Sequence, residues 1–187
     1  DYYYSSLQLR ANKTLKIIQK ILNDKKNYVR AWQLNERHYG ALTGLNKIEM
    51  SNKIGEDKVY EIRRSWDIKP EPLNKKNPYH PINIETYNSM AKKDLPDTES
   101  LKDTFERVTK YFGEEIEKKL ETNNVLITAH GNSIRALCKN LFNLDNNQIS
   151  NLEIPTGNPL IIELNKKLEI IKCEYLDKER AKSLVVF

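Results

Sequence analysis

Apolar residues recur at Leu7, Ala11, Leu15, Ile18 and Leu22, the spacing of one helical face. The spacing predicts a helix of about four turns ending at Leu22, with Tyr2 to Tyr4 before it as the tail of a strand. Tyr28 to Leu34 reads as a second strand. Asn46 to Ile54 reads as a short helix opened by Asn46, and Gly55 to Ser65 as another, with Val59 and Ile62 on one side and Arg63-Arg64 near its end. The longest helix is expected from Glu99 to Glu121, where Leu101, Phe105, Val108, Phe112, Ile116 and Leu120 form one stripe. Val125 to Ala129 is a short, nearly all-apolar run of the kind buried on both faces of a parallel sheet. His130-Gly131-Asn132-Ser133 then turns the chain into a helical pattern from Ile134 to Phe142, with Asn132 or Ser133 suited to cap it. Leu160 to Leu164 and Leu168 to Glu174 flank Asn165-Lys166-Lys167 and predict a strand pair. Strands alternating with helices make an α/β protein.

Residues 67–98 interrupt this order. Pro70, Pro72, Pro78, Pro81 and Pro96 fall there with little periodicity, so a long excursion without regular structure is expected. Loops of that length are uncommon in compact domains unless they cover a site or are disordered. No internal repeat is present.

The 187 residues suit one domain, or one plus an extension. A chain this long buries roughly 70% of its unfolded surface and needs no disulfide to hold a core. Cys138 and Cys173 are far apart, lack C-x-x-C spacing and are expected in the core. Apolar residues at 39% and charged residues at 30% exclude collagenous, mucin-like and disordered classes. No apolar run approaches the ~20 residues of a membrane span. Asp1 to Ser6 has no signal-peptide character, so the expectation is a cytoplasmic protein with no membrane partner.

A net charge of +5 with the signs interspersed favours anionic small molecules over nucleic acid. The choice of cation says more. With 23 Lys against 8 Arg, each arginine needs a reason, and adjacent Arg63 and Arg64 need one most, because the planar guanidinium fork suits phosphate and carboxylate.

His130 falls where a buried strand passes into a helix, the crevice in which open α/β sheets bind ligands and helix amides attract anions. A lone histidine is most often structural; the strand, the His-Gly turn and the polar residues after it raise this one above that. Glu36-Arg37-His38-Tyr39-Gly40 places an acid, a guanidinium, an imidazole and a phenol in succession, and Gly40 and Gly44 suit a tightly folded segment able to approach a ligand. An ordinary charged loop is the competing account. His38, His80 and His130 show no metal-ligand spacing, so no metal is expected. The P-loop, dinucleotide and nucleophile-elbow motifs are missing. The residues thus point to an anion site built from Arg10, Arg63, Arg64 and Lys47, with Glu36 and His130 as acid/base candidates.

These segments together resemble the cofactor-dependent phosphoglycerate mutases of the histidine phosphatase superfamily. Leu34 to Lys47 is similar to the family signature almost residue for residue, and Arg63-Arg64-Ser65, Thr98 to Thr104, Ala129 to Arg135 and Ile154-Pro155-Thr156-Gly157 follow in the family's order. The resemblance runs from Ser5 to about Leu176. It implies an α/β fold with a mostly parallel central sheet flanked by helices. It implies interconversion of 2- and 3-phosphoglycerate through a phosphohistidine, with 2,3-bisphosphoglycerate as primer and intermediate. Carried over by position, Glu36 is the proton donor and acceptor for the substrate hydroxyl, and His130 stabilises the phosphoryl group in transfer. Arg10, Arg37, Tyr39, Lys47, Arg63, Arg64, Gly131 and Asn132 match phosphate- or carboxylate-binding positions. A homodimer or homotetramer is implied as well.

The family's phosphoryl-accepting histidine belongs to an Arg-His-Gly motif after the first strand. Here Arg37-His38 continues with Tyr39, and His130-Gly131 follows Ala129. Residues 1–187 are therefore expected to be one mutase-like domain, N-terminally incomplete, lacking the first strand and inactive alone. Ala181 to Phe187 differs from the family's usual polar tail. Two alternatives stand beside the mutase: a phosphatase or bisphosphoglycerate synthase of the same superfamily, and a non-catalytic anion-binding relative without the nucleophile.

Overall fold

A computed structural model describes residues 1–181, apart from the Lys47 side chain. The elements, in chain order, are β1 (Tyr2–Ser5), α1 (Leu9–Ile21), β2 (Val29–Arg30), α2 (Lys47–Ile54), α3 (Glu56–Arg64), α4 (Leu101–Tyr111), α5 (Glu117–Leu120), β3 (Val125–Thr128), α6 (Gly131–Leu141), α7 (Asn146–Asn151), β4 (Leu160–Leu164) and β5 (Ile170–Tyr175).

β1 lies at the centre of a parallel sheet of order β2-β1-β3, with Tyr4 opposite Val29 and Tyr2 to Ser5 opposite Val125 to Thr128. Successive side chains on a strand face opposite sides. Tyr3 accordingly reaches the turn after α1, donating to Asp24 Oδ2 at 2.7 Å, while Tyr4 packs with Val108, Phe112, Ala136 and Leu137 of the α4 and α6 layer. Helices therefore cover both faces of the sheet, the α/β architecture that the alternation of elements predicts. β4 and β5 form an antiparallel pair in a sheet of their own, as the strand pattern anticipates.

Several elements depart from expectation for identifiable reasons. Strand pairing at Tyr28 to Leu34 is limited to Val29–Arg30, and Trp32–Leu34 coils into a single tight turn that buries Leu34. α1 ends at Ile21, one residue early, and Leu22 is exposed. The long helix is α4 and α5 joined by one wide i→i+5 turn at Phe112–Ile116. Four-residue spacings drift around a 3.6-residue helix, and the wider turn absorbs that drift, leaving Phe112 and Ile116 buried. β3 is only half-buried at Val125, Leu126 and Ile127, because it pairs with β1 along one edge and with no strand along the other among the described residues. α6 begins at Gly131, so Asn132 and Ser133 lie inside its first turn and do not cap it. α7 was not anticipated from the periodicity.

Residues 67–98 hold three single tight turns and no longer element. They are nevertheless fastened. Leu73 N donates to Asp97 O at 2.9 Å, buried His80 pairs through Nε2 with Asp97 at 2.8 Å, and Thr98 Oγ1 donates to Pro70 O at 2.7 Å. Cys138 and Cys173 are buried free thiols. No helix among the described residues is long and apolar enough to cross a membrane. Of Ala181 to Phe187, the stretch expected to differ from the family's tail, residues 182–187 lie outside the described residues.

Candidate functional site

The site forms where the ends of β1 and β3 meet the segment after Leu34. Asn35 is buried there, its Oδ1 accepting from Leu7 N at 2.9 Å and its carbonyl accepting from Ser133 Oγ at 2.7 Å. Arg107 reaches in from α4 and donates to Gln33 O, Asn35 O and, at 3.4 Å, Glu36 O, while its Nε pairs with Glu99 at 2.6 Å. Glu99 also accepts from His38 N at 2.8 Å. A buried ion pair thus clamps the main chain on both sides of Glu36. That fixes the carboxyl group in space before any ligand arrives.

The Glu36 side chain is partly exposed. Its Oε1 accepts from Arg37 N at 2.9 Å and from Asn132 Nδ2 at 3.0 Å, and Arg10 Nη2 stands 4.0 Å from Oε2. The Asn132 amide donates also to Tyr39 OH at 3.0 Å. The Tyr39 ring carries the Arg37 guanidinium at 5.0 Å and that of Arg63 at 5.8 Å, both within cation–π range.

His130 is buried at the start of α6. Arg10 Nε donates to its Nδ1 at 2.9 Å, so the ring proton resides on Nε2, which bonds Ser6 Oγ at 2.8 Å. Burial, reinforced by Arg10 and then Arg107, pushes its pKa down to about 3. The imidazole is therefore neutral, with an acceptor nitrogen turned toward Arg10.

Glu36, Tyr39 and Asn132 therefore form one hydrogen-bonded group and Arg10 and His130 another, joined by the 4.0 Å Arg10–Glu36 ion pair, with Arg63 against Tyr39. Gly131 is exposed at the start of α6, and a Cβ there would meet nothing within 4 Å. Arg64 stands apart from the group, paired with Glu153. Arg37 differs from the sequence expectation in placement: it is buried, and its Nε and Nη2 donate to Glu99 O at 2.9 Å and Ile62 O at 2.6 Å. Its Nη1 is buried and has no hydrogen-bond partner. Lys47 opens α2, and its side chain lies outside the described residues.

Sequence reasoning passed over Ser6, Glu99, Arg107 and Arg135. For the two arginines a signal existed, since the scarcity of Arg against Lys flags all eight. A cleft beside Glu36 is walled by Gln8, His38, Glu99 and Arg107, and Pro81, Tyr87, Met90 and Pro96 of the Pro-rich excursion close its other side. Gln8 ties the two sides together, accepting from Glu36 N at 3.3 Å and donating to Tyr87 OH at 3.0 Å.

Comparison with known proteins places this geometry in context. The histidine phosphatase superfamily (branch 1) model matches residues 74–173. A 2,3-bisphosphoglycerate-dependent phosphoglycerate mutase of Pelagibacter ubique (strain HTCC1062) is 65% identical over 188 residues, spanning 100% of this chain and 79% of the relative. The enzyme of the same name from Borreliella afzelii (strain PKo) is 50% identical, with 96% and 73% covered. Among solved structures, a mycobacterial glucosyl-3-phosphoglycerate phosphatase superposes with a TM-score of 0.61 at 17% identity, covering 93% of this chain and 74% of its own. An alpha-ribazole phosphatase from Shigella flexneri gives 0.62 at 14%, covering 92% and 71%. At those identities the two phosphatases speak to the fold alone.

Proposed function

Because the chain belongs to the 2,3-bisphosphoglycerate-dependent phosphoglycerate mutases of the histidine phosphatase superfamily, we propose that it interconverts 2- and 3-phosphoglycerate, with 2,3-bisphosphoglycerate as primer and intermediate. The observation that carries this reading is the Glu36 carboxylate, immobilised by Arg107 through its main chain and by Asn132 through its side chain, beside Arg10 and the guanidinium-flanked Tyr39.

A bisphosphoglycerate carries roughly −4 to −5 at neutral pH, counting about −1.5 to −2 for each phosphate plus the carboxylate. Taking such an ion from water is unfavourable unless several fixed cations and amides meet it. Arg10, Arg63 and Arg64 are the cations of this cradle, joined by Lys47, the free Nη1 of Arg37 and the amides at Gly131. Arg64 exchanges Glu153 for the anion on binding. In the mutase scheme a phosphohistidine gives its phosphoryl group to one substrate hydroxyl and takes it back from the other; Glu36 takes the proton from the hydroxyl that attacks and returns it to the hydroxyl that leaves, which requires a carboxyl group within hydrogen-bond reach. His130, held beside Arg10, is the group that the resemblance assigns to stabilise the transferring phosphoryl group. Water as the acceptor needs no cradle for a second anionic group, so the cations gathered around Glu36 favour the mutase over a phosphatase.

The test is Glu36→Gln in the full-length protein. The amide keeps the shape and loses the proton chemistry, so kcat is expected to fall ~10²-fold or more with a smaller change in KM. Wild-type kcat in that variant removes Glu36 from its role, and release of inorganic phosphate faster than interconversion by the wild type replaces the mutase with a phosphatase.

A further inference from the structure

Arg135 is one of the most buried cations of the molecule, and the reaction scheme above gives it no part. It projects from the second turn of α6 at 6% exposure. Its Nη1 donates to Asn132 Oδ1 at 3.0 Å, its Nη2 to the carbonyl of Ile149 in α7, and its Nε has no partner. No carboxylate forms an ion pair with it among the described residues. Burial and the nearby Arg64 bring its pKa down to about 10, still charged at neutral pH. A buried, unpaired guanidinium is costly, and a methionine of similar length would fill the same space without that cost.

What the guanidinium supplies is direction. An asparagine amide can present either its oxygen or its nitrogen to a neighbour, and the two faces have opposite polarity. Arginine only donates and an ionised carboxylate only accepts. With Oδ1 engaged by Arg135, the Nδ2 face must turn to Glu36 Oε1 and Tyr39 OH, both at 3.0 Å. Turned over, the same amide would set a carbonyl oxygen against the carboxylate.

Building on the mutase reading, we propose that Arg135 is a positioning residue that locks the Asn132 amide with its donor face toward Glu36 and Tyr39, and so keeps the Glu36 carboxyl group in the reactive orientation. Lysine at this position cannot substitute, because one ammonium on a flexible stem does not span both Asn132 Oδ1 and Ile149 O in a fixed plane.

The experiment is a double-substitution cycle in the full-length protein with Arg135→Lys, Asn132→Ala and the pair, reading kcat and KM for 3-phosphoglycerate. Arg135→Lys is expected to lower kcat about tenfold with KM changed less than about threefold, since the residue touches Glu36 only through Asn132. In the Asn132→Ala background the same change is expected to have no further effect on kcat. Full additivity of the two losses, or a wild-type kcat in Arg135→Lys, overturns the proposal; the second result with a lowered melting temperature makes Arg135 a tie between α6 and α7. If Arg135→Lys fails to fold, the wild-type protein decides by NMR of its side-chain amides. Slowly exchanging Asn132 Nδ2 protons that cross-relax with the Tyr39 ring support the lock, and rapidly exchanging, averaged ones overturn it. A wild type that interconverts no phosphoglycerate removes the mutase reading, while that amide signal still reports on Arg135.

Discussion

At the scale of single residues, the group with the largest consequence for pH is His130. Its folded pKa of about 3 lies below the ordinary histidine value of 6.5. Between those values the unfolded chain binds a proton that the native state refuses, so stability is lost as pH falls through that window and is unaffected by this group above it. The slope is at most ~1.4 kcal/mol per pH unit for one proton. His38, also lowered by burial, adds in the same direction. Urea midpoints measured from pH 7 to pH 4 should therefore decline, and His130→Gln should decline less steeply; equal slopes would show that His130 is not buried neutral. The arginine pair is tested by charge-conserving change. Arg63→Lys keeps the cation but loses the fork and the stacking on Tyr39, and binding of bisphosphoglycerate should weaken about tenfold, or ~1.4 kcal/mol, by calorimetry. Unchanged affinity in both Arg63→Lys and Arg64→Lys would make the pair a solvated surface feature.

Among the elements, the segment after Glu36 depends on one backbone conformation. Gly40 has φ +51, and a Cβ on it would stand 2.2 Å from Glu71 O, at the very place where Ala41 N donates to that carbonyl at 2.7 Å. A left-handed φ and a backbone obstacle act together, so Gly40→Ala should cost on the order of 3 kcal/mol or more and separate the signature segment from the base of the excursion. Wild-type stability in that variant, by denaturant titration, would contradict the packing described. By contrast, Asn46→Ala removes one reciprocal cap, in which Asn46 accepts from Glu49 N and Glu49 from Asn46 N, and should cost only about 1 kcal/mol. The same box recurs at Ser100 with Asp103 and at Asp145 with Gln148. The last of these starts α7 in a stretch where apolar periodicity offers nothing to read, and its Asp-x-x-Gln spacing was a legible signal that hydrophobic pattern alone overlooks.

On the scale of the whole molecule, the Pro-rich excursion is both a wall of the cleft and a fastened structure. Its base is held at Leu73, His80 and Thr98, whereas Lys75, Lys76, Tyr79 and Glu85 lie exposed on its outer side. Limited proteolysis should therefore cut first between about 75 and 95, and saturating bisphosphoglycerate should slow that cut, since a ligand bound to the folded form disfavours local opening. Equal cleavage with and without the polyanion would separate the excursion from the site. The same assay on Gln8→Ala, which removes the bridge from Glu36 N to Tyr87 OH, should show faster cleavage in the absence of ligand.

The order of strands and helices and the family segments were legible in the sequence, and Glu36 and His130 stood out there as candidates, because each rests on information that is local along the chain. A 3.6-residue period, an apolar run ended by His130-Gly131 and an uninterrupted stretch from Leu34 to Lys47 are read within one element. Tertiary structure alone decided what each side chain does. Asn132 is bonded to Glu36 across 96 positions of sequence, and Arg37 to the Glu99 carbonyl across 62, so neither the bridging role of the first nor the burial of the second leaves a periodic trace. A hydrogen bond depends on direction and on what else occupies the space, and both are settled only when α4 and α6 close over β1. Arginine scarcity singles out Arg107 and Arg135; only the packed molecule shows that one bonds the main chain leading into Glu36 while the other donates to the amide bonded to its carboxylate.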